Sequence, residues 1–207
     1  RIYASGGELI GEFGERRLIP ISIEDVPPQF INAILDTEDK RFYDHNGIDY
    51  ISLTNDIFQL IGSMVAPTGG KAGGASTITM QLARNVSFTL ERKFLRKFKE
   101  MLLALKIEQE LSKDEILESY LNTIYFGRGA YGVQTAAQQY FGLDVDQLSV
   151  RQCAVLASVL RSPGYYDPGL RDGNVERLTA RYNYTINAMV GAGWADEKYL
   201  KMKIISG

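Results

Sequence analysis

The sequence predicts a mainly α chain with one minor β element at its start, and three features carry that prediction. Apolar residues recur at helical spacing, as in Phe30, Ile31, Ile34 and Leu35. Helix starts are marked: Pro27 and Pro28 precede one, and Ser112 with Glu115 three residues on forms a capping box before another. Strand-like pieces are short, broken by glycine and confined to residues 1–23.

In chain order, RIYA, ELIGEF and RRLIPISI read as strands of a short N-terminal hairpin extension. PPQFINAILDTEDKRFYDH starts a helix after its two prolines. DYISLTNDIFQLIGSMVAP reads as a second helix, ending in the glycine-rich loop TGGKAGGAS. STITMQLARN begins a third, with Ser76 or Thr77 as its cap. A long helix over about residues 90–111 follows, then SKDEILESYLNTIY. The remainder is helical in period and interrupted by Gly, Asp and Pro. There is no internal repeat and no low-complexity tract.

At 207 residues the chain is long enough for one large domain or a two-lobed one. Apolar residues at 45% and charged residues at 23% are those of an ordinary globular protein. A net charge of −2 argues against a globally basic nucleic-acid binder. Cys153 is the single cysteine, so no intrachain disulfide forms, and its apolar run CAVLASVL predicts a buried core residue. With one His and one Cys, a zinc site of the usual type is excluded. No apolar run approaches the roughly 18 residues of a transmembrane helix. The opening residues are not a signal peptide, and the first residue is Arg, so the chain reads as a piece of a longer protein.

Two stretches concentrate charged groups. EDKRFYDHNG (38–47) sets adjacent acids ahead of an aromatic pair and the only histidine. Alone, it reads as a solvated helix end running into a turn. In ERKFLRKFKEMLLALKIEQEL, from Glu91, the residues Phe94, Phe98, Met101, Leu102 and Leu105 fall on one stripe, the expected core face. From Arg84 to Lys106 there are seven basic residues against two acids, in a chain that is net negative. That face suits either an anionic membrane surface or a phosphate-bearing ligand, with Glu100 set inside it.

Read together, the segments resemble the family 51 glycosyltransferases. EDKRFYDHNG matches that family's first motif, ED-x-x-F-x-x-H-x-G, at every defined position. GASTITMQLARN (74–85) resembles the second, RKFKE (96–100) matches the third, RKxxE, and 113–142 and 151–168 resemble the fourth and fifth. The lead-in YASGGELIGEFGERRLIPISIEDVPPQF is similar to that of class A penicillin-binding proteins. The resemblance covers nearly the whole chain in the family's order.

It implies a lysozyme-like globular lobe plus a smaller membrane-facing jaw over about residues 48–75, within a single glycosyltransferase domain spanning 1–207. It also implies a membrane anchor upstream and a transpeptidase domain downstream. The implied activity is polymerisation of lipid II into β-1,4-linked glycan with inversion and release of undecaprenyl pyrophosphate. The implied place is the outer face of the bacterial cytoplasmic membrane. Glu38 stands where the family has its general base, and Glu100 where it has its second essential carboxylate. Asp39, Ser76, Thr77, Gln81, Arg84, Arg92, Lys99 and Arg181 are the implied substrate ligands. Phe42 and His45 would fix the turn beside Glu38, while Asn122 and Tyr125 suit structural and ligand-contacting roles equally. Phosphoglycolipid inhibitors are implied ligands. A divalent cation (Mg or Mn) is a further expectation, with no organic cofactor and no nucleic acid.

Three departures stand out. Met80 replaces a Gln of the second motif, and Arg161 replaces a Pro of the fifth, which puts the local turn there in question. Residues 62–74 are long and glycine-rich, predicting a segment that orders when donor binds, beside an apolar IFQLIGSMV suited to a bilayer surface. A hydrolase of similar fold would lack a pyrophosphate to hold and would not need the basic helix. A non-catalytic membrane-binding module would leave the Glu38 and Glu100 motifs unexplained.

Overall fold

The computed structural model describes residues 2–3, 9–11, 18–55, 58, 76–86, 93–170 and 173–201. Strands β1 (Ile2–Tyr3) and β2 (Leu9–Gly11) pair antiparallel, as the first two strand-like pieces predict. The third piece departs from expectation. Residues 18–22 form no strand, and Ile23–Asp25 is a 3₁₀ turn capped by the Ser22 side chain. Side chains of a distant helix satisfy this backbone instead. Ile21 N–H donates to Asn122 Oδ1 at 2.9 Å, Asn122 Nδ2 donates to Ile21 C=O at 2.9 Å, and Ile23 N–H donates to Glu118 at 2.8 Å. Asn122 is thus a tether for the lead-in.

Helix α1 (Pro28–Glu38) begins on Pro28, whose missing N–H and fixed φ suit a first turn, and buries Phe30, Ala33 and Ile34. A helical segment over 50–55, α2, starts the second predicted helix; most of that helix and the glycine-rich loop lie outside the described residues. Next come α3 (Ile78–Val86) and α4 (Lys93–Glu110), then α5 (Lys113–Thr123), opened by the expected Ser112–Glu115 capping box. A hairpin, β3 (Tyr125–Gly127) and β4 (Ala130–Tyr131), leads into α6 (Val133–Phe141). Gly132 is required at that junction. Its φ is +82°, and a Cβ there would lie 2.6 Å from the Asn122 carbonyl oxygen. The chain finishes with α7 (Val150–Leu160), α8 (Pro163–Tyr166) and α9 (Asn174–Gly191). A second capping box, Ser149 with Gln152, opens α7.

The core gathers Phe30, Ile34, Tyr120, Phe126, Leu156, Ile186 and Met189, where α1 lies against α7 and α9. Separately, α3 packs on α4 and α5. Cys153 is fully buried in α7, and burial pushes its thiol pKa up to about 12. At pH 8 an aromatic disulfide reagent should therefore leave the native thiol unmodified and titrate one thiol only after denaturation. Prompt labelling of the native protein would contradict this packing.

Helix α4 corrects the expected core stripe. Phe98 and Leu102 are more than half exposed, as is Leu95, whereas Glu100 and Ala104 are fully buried. The face turned to α3 is the one carrying Glu100, because Arg84 on α3 receives that carboxylate. Ion pairing, not apolar content, sets the rotation of this helix.

Candidate active site

Glu38 is the last residue of α1, and its side chain is only 2% exposed. Three donors from three helices surround its carboxylate. Arg181 of α9 reaches Oε1 at 3.3 Å, Arg161 at the end of α7 reaches Oε2 at 3.3 Å, and Gln81 Nε2 of α3 stands 3.4 Å from Oε2. Gln81 is itself oriented, since its Oε1 accepts from the Tyr120 hydroxyl at 3.1 Å. Burial, then the charges of Glu38 and Asp39, push the Tyr120 pKa far up, so that hydroxyl stays a donor.

Asp39 fastens the turn beside the candidate base. Its buried carboxylate accepts from the Ile78 N–H at 2.9 Å, at the start of α3, and pairs with His45 Nε2 at 2.9 Å. Phe42 is buried and packs edge-on to the His45 ring. The turn geometry expected of Phe42 and His45 is what the structure shows. Thr77, not Ser76, caps α3: its Oγ1 accepts from Met80 N–H at 3.1 Å and donates to the Gly47 carbonyl at 2.6 Å. The pair Arg41 and Asp49 closes the far wall. Together Glu38, Asp39, Arg41, Asp49, Ser52, Ser76 and Thr77 line a cleft of about 230 Å³.

One helical turn beyond Gln81 along α3 stands Arg84, on the same face. Its guanidinium clasps Glu100 in two bonds, of 2.8 and 3.0 Å. Arg96 lies 3.5 Å from the same carboxylate and Lys97 3.8 Å from it. Glu100 is 1% exposed while all three cations reach solvent. Three cations around one carboxylate leave a net positive surface. Lys97 also donates to Ser76 Oγ at 2.5 Å, joining the cluster to the cleft. Burial, aided by Arg84 and Arg96 and opposed by Glu100, holds the Lys97 pKa below its ordinary value. Lys99 is exposed on α4. Arg92 falls outside the described residues.

The structure therefore gathers Glu38, Gln81 and Arg181 at one centre, and Ser76, Arg84 and Glu100 at a second, joined through α3. Sequence reasoning gave Arg161 no part in the site and attached it only to a local turn. Its one visible signal was a charged residue in place of a proline, and its target lies 123 residues away. Lys97 and Arg96 were read as parts of a basic face with Glu100 set inside it, and the structure pairs both with that carboxylate. Tyr125 is 41% exposed and stacks on Tyr131 across the hairpin, at 4.8 Å between ring centroids. Among the described residues no group of three or more His, Cys, Asp or Glu side chains could hold a metal. Glu38 and Glu100 are both faced by cations, so these residues do not supply a donor set for a divalent ion.

Comparison with known proteins supports the motif reading. The profile of the transglycosylase family matches residues 6–190. The chain is 44% identical over 198 residues to penicillin-binding protein 1A of Escherichia coli, covering 96% of this chain and 22% of that protein. It is 44% identical to penicillin-binding protein 1A of Pseudomonas aeruginosa, over 96% of this chain and 23% of that one. The crystal structure of penicillin-binding protein 1A from Haemophilus influenzae superposes with a TM-score of 0.55 at 25% identity, over 99% of this chain and 20% of that one. The chain thus spans less than a quarter of the length of these relatives. From residue 6 to residue 190, through both carboxylate centres, it belongs to the transglycosylase family.

Proposed function

We propose that this domain polymerises lipid II into β-1,4-linked glycan strands during bacterial cell-wall synthesis. The observation that carries the reading is the pairing of two centres on one face of α3: a carboxylate held by neutral and cationic donors, and a cation cluster in excess over Glu100. Glu38 takes the proton from the acceptor sugar's 4-hydroxyl as that oxygen attacks the donor's anomeric carbon. The new C1–O4 bond forms as the C1–O bond to the diphosphate breaks on the opposite face, inverting the anomeric centre. Positive charge from Arg84, Arg96 and Lys97, with Lys99 and Arg92 nearby in sequence, stabilises the departing undecaprenyl diphosphate. Glu100 holds three of those cations in register. Among the described residues no group of three or more His, Cys, Asp or Glu side chains stands ready for the divalent cation expected of the family, and no step is routed through it.

The sequence resemblance of the lead-in and of the segment over 48–75 to class A penicillin-binding proteins, together with the relatives' greater length, supports action at the outer face of the cytoplasmic membrane, with a transpeptidase domain following in the parent. No helix among the described residues is long and apolar enough to cross a membrane.

Incubation with fluorescent lipid II should give a ladder of lysozyme-sensitive polymer; its absence under conditions that activate a full-length relative refutes the reading. Lys99→Ala should weaken phosphoglycolipid binding by roughly 1–3 kcal/mol, the range for a charge-assisted contact. Affinity for a diphosphate-free glycan should stay within twofold.

A further inference from the structure

Asp167, in the loop between α8 and α9, carries a fully buried carboxylate that neither centre uses. Arg128 clasps it in two bonds, from Nε to Oδ2 at 2.8 Å and from Nη2 to Oδ1 at 2.5 Å. The Gly169 N–H donates to Oδ1 at 2.9 Å. The Tyr140 hydroxyl donates to the Phe126 carbonyl at 2.8 Å and stands 3.4 Å from Oδ2. Burial alone would raise the Asp167 pKa, but the bonds from Arg128 and Gly169 outweigh it and hold the carboxyl below its ordinary value.

The backbone on both sides is shaped for this clasp. Arg128 is at the tip of the β3–β4 hairpin with a φ of +51°, the only non-glycine residue at positive φ among the described residues. A side chain is kept in that region only where its surroundings hold it there. Its guanidinium lies 4.5 Å from the Tyr140 ring centroid and ends on Asp167. A Cβ at Gly169 would stand 2.8 Å from Arg128 Nη2, so the loop meets the guanidinium through a glycine.

Asp167 also fastens the start of α9. Its carbonyl accepts from Asn174 Nδ2 at 2.7 Å, and Asn174 Oδ1 accepts from Arg177 at 3.0 Å. Asn174 is the first residue of α9 and is fully buried. The two segments that flank this node are the ones that carry cations to Glu38. Arg161 stands at the end of α7, just ahead of α8, and Arg181 stands on α9 about two turns beyond Asn174. Strand β3 packs on both α7 and α8, and α8 packs on α9.

Desolvation offsets much of the attraction in a buried ion pair, so what such a pair imposes on the chain is geometry. We propose that the Arg128–Asp167 clasp is a positioning device for the base, fixing the α7–α8 junction and the start of α9 so that Arg161 and Arg181 meet Glu38. Neither residue of the clasp touches the reacting atoms. The catalytic part of this inference rests on the activity proposed above, whereas the placement of Arg181 is measured without turnover.

The test starts at the hairpin tip, because Asn accepts the left-handed conformation that Arg128 adopts. Arg128→Asn therefore keeps the turn and removes the guanidinium. The double variant Arg128→Asn/Asp167→Asn removes both charges and leaves no buried carboxylate unpaired, which guards against misfolding. The buried Nε–H of Arg181 is the reporter, followed by heteronuclear NMR and assigned by its loss in Arg181→Gln. It should exchange slowly with solvent in wild type and at least about tenfold faster in both clasp variants. Turnover of lipid II should fall ~10–100-fold in kcat, the scale on which slight misplacement of a catalytic group is felt. KM and phosphoglycolipid affinity should stay within twofold, because the cations around Glu100 stand on α3 and α4. With Arg181→Gln already in place, Arg128→Asn should cost less than a further twofold. Free exchange of the Arg181 Nε–H in wild type, or unchanged exchange in the clasp variants, overturns the proposal. So do losses in kcat that multiply with that of Arg181→Gln, or a parallel loss of phosphoglycolipid affinity. A wild type whose Arg181 signal depends on Arg128 yet makes no polymer from lipid II overturns the proposed activity and leaves the positioning of Arg181 standing.

Discussion

Glu38→Gln should lower lipid II polymerisation by at least ~100-fold, the scale on which loss of a general base is felt. The amide keeps the shape of a side chain that is 2% exposed and can still accept from Arg181 or Arg161, so the site stays assembled. It cannot take the acceptor's proton. The melting temperature should move little, because the fold is held by the core around Phe30 and Tyr120 and not by this carboxylate. Binding of a phosphoglycolipid, which the proposed function assigns to the cations of the other centre, should persist. Turnover within tenfold of wild type would remove Glu38 from the role of base.

Glu100→Gln should produce a loss of similar size in turnover, about 10²–10³-fold, by a different route. Its carboxylate fixes Arg84 through two bonds and stands within 4.0 Å of Arg96 and Lys97. An amide presents one acceptor where the carboxylate presented two, so Arg84 loses its bidentate hold and the cations repel one another. Departure of the diphosphate then lacks a preorganised partner. Ground-state affinity for phosphate should hold or rise, since the local positive excess grows by one charge. Folding stability should fall by only about 1 kcal/mol, because the three cations reach solvent and are screened there. The diagnostic result is this split between binding and turnover. If both fall together in a destabilised protein, Glu100 is a structural group alone.

Much of this was legible in the sequence because it is written locally. The capping box at Ser112, the proline start of α1 and the turn from Asp39 to Gly47 depend on residues a few positions apart. Their side-chain chemistry is sufficient to specify them. Asn122 was ambiguous for the opposite reason. Its partner is the backbone of Ile21, 101 residues away, and no short-range pattern encodes that meeting. Arg161 is the same case at longer reach. The rotation of α4 was misread because periodicity assumes that the most apolar stripe turns inward. Here the buried Glu100 carboxylate, held by Arg84 of α3, claims the inner face, and Leu95, Phe98 and Leu102 are left outside.

That outward stripe has a thermodynamic signature of its own. Water ordered over exposed apolar side chains contributes to heat capacity, and covering them removes that contribution. Whatever surface comes to lie on Leu95, Phe98 and Leu102 should do so with a negative heat-capacity change that grows with the area covered. Charge neutralisation at Arg84 and Arg96, one face away on the same packed pair of helices, carries no comparable apolar term. Titrations repeated at several temperatures can therefore separate, within one binding event, what the apolar face of α4 contributes from what its charged face contributes.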